Sequence, residues 1–236
     1  MKRFWDSAAT TPQPGGFGVS LDGKPVRLPG GAPLVVGHAP LAEAIAEEWS
    51  AAGGGARGGE MSMHDMPLTR LVGTAQERIA PEPEAMVEGL ARYAESDLLC
   101  YRAEDPQLAA RQAAEWQPLL DWAALQHDAP LRVTAGIMPV RQEASSVAAL
   151  RAAIAARNAV ELAALGVLVP ALGSLVLGLA VVEGRLEAAE AHRLAILDET
   201  FQEEFWGLDR EAAERRARIA GEIAVVARLL ALARPS

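Results

Sequence analysis

The sequence predicts an α+β fold, with a short β-meander in the first forty residues and helices through nearly all of the rest. Three observations carry this. Apolar and small residues alternate around an Asp-Gly pair near the start. Helical spacing then takes over at Pro40 and returns after every break. Finally, half of the 236 residues are hydrophobic but only 5% are aromatic. A core made of Ala, Leu and Val suits close-packed helices better than a β-sandwich. The length is enough for one large domain or two small ones.

Phe17-Gly18-Val19-Ser20-Leu21 reads as a strand, and Asp22-Gly23 is a strong two-residue hairpin signal. Lys24-Pro25-Val26-Arg27-Leu28 is the return strand, with Pro25 confined to its start or to an edge. Pro29-Gly30-Gly31 turns the chain again before Pro33-Leu34-Val35-Val36. Such a meander is too small to stand alone. A first helix starts at Pro40, a residue suited to the opening turn, and stops at Gly53-Gly54-Gly55. The Gly-rich stretch Ala51–Glu60 is expected as a flexible surface loop. Further helices are predicted from Pro67 to Ile79, from Glu84 to Tyr101, and from Pro106 onward with a kink at Pro118. Leu131-Arg132-Val133-Thr134 reads as one extra strand. From Ser146 the pattern is helical almost to the end, with breaks near Pro170, Gly184 and Gly207.

One stretch forces a choice. Leu162 to Val182 carries no charge between Glu161 and Glu183, and about 20 apolar residues can cross a bilayer as a helix. Against a membrane span stand Pro170, three internal glycines, the absence of Trp or Tyr at either end, and flanks with no positive-inside bias. The alternative is a helical hairpin buried on all sides. The residues leave both open.

Charge and thiol content exclude other classes. Twenty-two basic against thirty-one acidic residues give a net charge of −9. Nucleic-acid binding needs clustered Lys and Arg, so no nucleic-acid partner is expected. A lone Cys100 excludes a disulfide framework and a multi-thiolate metal site, and fits a reducing compartment. The opening residues Met1-Lys2-Arg3-Phe4-Trp5-Asp6 lack the apolar stretch of a signal peptide.

Catalytic constellations are thin. None of the four histidines has the i, i+4 partner of a helical zinc motif. No phosphate-binding loop or dinucleotide fingerprint is present. His64-Asp65 reads as a solvated turn pair, and Cys100 as a buried structural thiol. Two carboxylate clusters stand out instead. In Arg92-Tyr93-Ala94-Glu95-Ser96-Asp97, Arg92 and Glu95 have salt-bridge spacing. In Leu197-Asp198-Glu199-Thr200-Phe201-Gln202-Glu203-Glu204-Phe205-Trp206-Gly207, helical geometry puts Glu199, Gln202, Glu203 and Trp206 on one face, with Phe201, Phe205 and Leu208 toward another. That acidic stripe beside a Trp is either a docking surface or a solvated face over a core tryptophan.

These segments resemble a known family. Arg3-Phe4-Trp5, Leu21-Asp22-Gly23-Lys24-Pro25-Val26-Arg27, Leu41 to Trp49, and Met66-Pro67-Leu68-Thr69-Arg70-Leu71 are similar to the assembly chaperones for the alpha subunit of the F-type ATP synthase catalytic head, F(1). The likeness is most specific at Arg92 to Arg102 and at Trp116-Gln117-Pro118-Leu119-Leu120-Asp121-Trp122. Leu197-Asp198-Glu199, Gln202 and Trp206-Gly207 complete it, so nearly the whole chain is covered in order. Departures are local, at Ala52–Met63 and Gly37-His38.

The resemblance implies a small N-terminal β-rich domain, taken as residues 1–60, and a larger helical domain over 61–236. It implies that 162–182 is an internal helical hairpin and that the molecule is monomeric, without stable membrane insertion. It also implies a non-catalytic protein, without cofactor or metal, that binds the free alpha subunit until it pairs with beta. Mitochondria carry such factors and α-proteobacteria have relatives, so the expected place is the bacterial cytoplasm, or the mitochondrial matrix for a processed eukaryotic chain. By motif position the alpha-binding face includes Glu199, Gln202 and Trp206. Arg92, Tyr93, Glu95 and Asp97 are expected to be architectural, with Glu95 and Asp97 tying the two domains. The alternatives are a small membrane-anchored protein using 162–182, or an enzyme with a site near His64 and Asp97.

Overall fold

The computed structural model describes residues 1–136 and 138–234. It has a few N-terminal strands followed by helices, which is the expected α+β class. Two compact units form: Met1–Glu82 with the chain from Arg228 onward, and Pro83–Ala227. The sequence reading placed its boundary at residue 60 instead.

In the first unit, β2 (Gly16–Leu21) is the centre of a small antiparallel sheet. Along one edge it pairs with β1 (Ala8–Gln13), from Ala8 opposite Leu21 to Gln13 opposite Gly16. The other edge holds β3 (Lys24–Pro25) and then β4 (Val35–Val36). Asp22 and Gly23 both adopt positive φ, as the tight β2–β3 hairpin requires. The return strand is shorter than predicted. After Val26, whose N–H donates to Val19 O, the chain loops out through Pro29-Gly30-Gly31 and comes back when Leu34 N–H donates to Val26 O. β1 has no counterpart in the sequence reading.

Helix α1 (Ala39–Ala51) packs Leu41, Ile45 and Trp49 into this unit's core with Trp5. The two indoles lie 5.0 Å apart, and Trp5 Nε1 donates to Trp49 O at 3.1 Å. The buried Arg3 guanidinium donates to the carbonyls of Ser50 and Ala52, which ends α1. The Gly-rich stretch is therefore pinned to the N-terminal segment: Arg3 N–H donates to Gly59 O and Gly58 N–H to Arg3 O. Gly53 is held at φ +65° where a Cβ would meet Gly59 O at 2.9 Å. Glu48 accepts the N–H groups of Leu68 and Thr69, capping α2 (Pro67–Thr74). A wider π-turn over Ala75–Ile79 completes the predicted helix.

In the second unit, α3 (Glu84–Ala91) ends well before Tyr101. Two tight turns, Arg92–Glu95 and Leu98–Cys100, replace the rest of the expected helix. β5 (Tyr101–Arg102) pairs in parallel with β6 (Thr134–Ala135), so only the end of the predicted 131–134 strand forms. α4 (Pro106–His127) continues through Pro118. After α5 (Ala144–Ala155), the uncharged run folds as two helices, α6 (Ala159–Leu172) and α7 (Leu175–Val182). Every residue of α7 is buried, and α6 buries Leu162 to Leu165, Leu168, Val169 and Leu172. Pro170 lies inside α6; the joint is Gly173, at φ +63°, followed by Ser174 as the cap of α7. At the crossing, a Cβ on Gly178 would meet Val169 Cγ2 at 2.7 Å, so the helices sit closer than any side chain allows. Among the described residues no helix is long and apolar enough to cross a membrane. α8 (Ala188–Ala195), α9 (Leu197–Trp206) and α10 (Arg210–Leu232) complete the chain.

Candidate partner-binding face

Leu197 and Phe201, four apart, are the buried side of α9; Asp198, Glu199, Thr200 and Glu203 are half-buried, and Gln202, Glu204, Phe205 and Trp206 are exposed. Its acidic residues are all engaged within the second unit. Asp198 accepts Gln112 Nε2 of α4 at 2.7 Å. Glu204 makes a two-pronged pair with Arg111 of α4 at 2.5 and 2.9 Å, and that guanidinium lies over the Phe201 ring at 4.9 Å. Glu199 accepts from Arg215 and Arg216 of α10, both at 3.1 Å. Glu203 accepts from Arg216 at 2.5 Å. Arg216 is itself buried, so it has a fixed position from which to hold two carboxylates. Its guanidinium is pushed above the ordinary range first by the Glu203 hydrogen bond.

Gln202 is exposed, Glu199 is half-buried beside Arg215 and Arg216, and Trp206 is 87% exposed, so it is not a core residue. Phe205 and Leu208, which helical spacing set apart from Trp206, are exposed with it at 62% and 72%. Gly207 ends α9 at φ +83° and turns the chain before Leu208, which therefore leaves the helical spacing; Phe205 is still within the helix. Beneath this face His192 of α8 has a buried Nε2 without a hydrogen-bond partner. Burial, then the Arg216 guanidinium, holds its imidazole below the ordinary range, while Glu199 pulls the other way.

The Arg92–Asp97 motif serves the interior. Asp97 is fully buried and accepts Leu99 N–H at 3.0 Å, Ser174 Oγ at 2.7 Å and Val176 N–H at 3.0 Å. It therefore caps its own turn and the N-terminus of α7 together. Burial pushes its carboxyl up, and those donors pull it down by less. The partners of Asp97 are all in the second unit, so the tie is to the apolar hairpin. Tyr93 is half-buried, Arg92 and Glu95 are exposed, and these last two do not form the salt bridge their spacing suggested. Glu95 instead lines a cleft of about 620 Å³ with Pro139, Val147 and Arg151.

Little supports a catalytic centre at His64 and Asp97. His64 is exposed in a turn capped by Ser62 in the first unit, whereas Asp97 is sealed in the second. Among the described residues no cluster of three or more His, Cys, Asp or Glu could hold a metal ion. Cys100 is buried with its thiol pushed up to about 12 by desolvation, a structural and not a nucleophilic setting.

Residues 2–124 match the family described as ATP12 chaperone protein. Across the whole chain, the crystal structure of Atp12 from Paracoccus denitrificans superposes with a TM-score of 0.91 at 42% identity, covering 99% of this chain and 98% of that one. The chain belongs to the ATP12 chaperone family. A crystal structure from Agrobacterium tumefaciens is also similar, with a TM-score of 0.89 at 37% identity over 99% of this chain and 86% of that one. The mitochondrial protein atp12 of Schizosaccharomyces pombe is 27% identical over 225 residues, 90% of this chain and 76% of that protein. ATP12 membership is what the sequence resemblance implied, and the matched range contains its segments from Arg3 to Trp122.

Proposed function

We propose that this ATP12 chaperone binds the free alpha subunit of F-type ATP synthase and keeps it from aggregating until beta takes its place in the F(1) head. An unpaired subunit exposes the partly apolar surface that later meets its neighbour, and such patches self-associate. A holder needs a complementary face that binds reversibly. The observation that carries the reading is the exposed Trp206 on a helix fixed at both sides by arginine–carboxylate pairs. Glu199, Gln202 and Trp206 belong to that face. The chaperone acts as a monomer, without cofactor or catalytic step, in the bacterial cytoplasm or in the mitochondrial matrix, wherever F(1) is put together.

Co-expression with the alpha subunit tests this. Soluble alpha should rise with the wild-type chain and fall back to the chaperone-free level with Glu199→Lys, which circular dichroism should show to be folded. Equal soluble alpha with and without the wild-type chain would remove the reading. Wild-type levels with Glu199→Lys would remove Glu199 from the face.

A further inference from the structure

We infer that the client docks on an apolar knob made by Phe205, Trp206 and Leu208, and that the acidic residues of α9 fix the knob's position without meeting charges on the client. The inference rests on the reading above and adds Phe205, Leu208 and the physical character of the contact. Three large side chains, 62%, 87% and 72% exposed, follow one another around Gly207. With about 150–250 Å² per aromatic side chain, they present roughly 450 Å² of apolar surface. That is as large as the largest apolar patch of a typical monomer, and about half of one partner's share of a standard interface, near 800 Å².

Charge decides what covers it. Asp198, Glu199, Glu203 and Glu204 look like an acidic docking stripe in sequence, yet each carboxylate faces a donor of this chain: Gln112, Arg215 with Arg216, Arg216, and Arg111. A basic client would have to displace those donors. An apolar client surface needs no exchange and gains by leaving water. The occupant that fits is therefore the apolar subunit-contact surface of the unpaired alpha subunit. Glu199 is a positioning residue in this arrangement. Reversing its charge beside Arg215 and Arg216 shifts the end of α9, because it leaves Glu203, which accepts from Arg216, to hold that side against an added cation.

Binding of the full-length chain to purified alpha subunit, measured at about 50 and 300 mM salt, tests the inference. The triple variant Phe205→Ser, Trp206→Ser, Leu208→Ser should lose at least about 30-fold in affinity, the scale of a lost hot spot. Wild-type affinity should change less than about threefold with salt, because an apolar contact brings no charges together across the interface. Retained binding by a folded triple variant, or a tenfold or larger loss with salt, would each overturn the knob while leaving alpha as the client. No binding by the wild-type chain would overturn the client reading itself. Self-association that disappears in the triple variant, with alpha binding unchanged, would make the knob a dimer contact and overturn the inference.

Discussion

The imidazole of His192 lies beneath the pairs that hold α9, with Nε2 buried and unpartnered and Arg216 and Glu199 as its charged neighbours. Its folded-state pKa is below the unfolded value of 6.5. The unfolded chain therefore takes up the proton first, so this component of stability is full above that value and is lost as pH falls through the interval below it. Urea unfolding at pH 7.5 and 5.5 should show a drop in the wild-type chain and a smaller drop in His192→Leu. An equal drop in both would acquit His192. At this scale the sequence was informative about type and poor on environment. Cys100 read correctly as a buried thiol because Leu98 and Leu99 precede it on a helical pattern. Trp206 could be read as core or surface, since nothing local says which way a helix end points.

Among the elements, the α6–α7 hairpin shows how one distant side chain completes a helix. Asp97, remote in sequence, supplies acceptors to Leu99 N–H, Val176 N–H and the Ser174 hydroxyl, which in turn caps Leu177. Asp97→Ala would leave buried donors unmade, at about 1–3 kcal/mol for each group stranded. A total loss of about 3 kcal/mol in urea unfolding is the expected result, and a loss below about 1 kcal/mol would contradict the capping role. The family resemblance implied a hairpin in the uncharged run, whose break the sequence put near Pro170, but its joint is at Gly173. A proline can ride inside a helix when the carbonyl it strands is accommodated, whereas the left-handed turn demands glycine. β1 was invisible for the opposite reason. Ala8-Ala9-Thr10-Thr11-Pro12-Gln13 has no apolar alternation and no buried residue, and becomes a strand by pairing along β2. Asp97 also explains why no helix runs on to Tyr101: as the cap of Leu98–Cys100 it is extended and cannot sit inside a continuous helix.

For the molecule as a whole, the tryptophans report on the proposed docking. Trp5, Trp49 and Trp116 are buried, Trp122 is half-buried, and Trp206 stands in solvent. Acrylamide should quench one red-shifted emission component that is missing in Trp206→Phe and becomes shielded when alpha subunit is added. A wild-type spectrum with no such accessible component would place Trp206 elsewhere. The sequence alone determined the class of fold and the ATP12 family, because periodicity, composition and ordered motifs are properties of the chain itself. Only the tertiary structure decided where α6 and α7 join, what Asp97 caps and which α9 side chains remain open. Each of those depends on partners far along the chain, and a carboxylate is a docking charge or an internal strut according to which arginine the fold brings beside it.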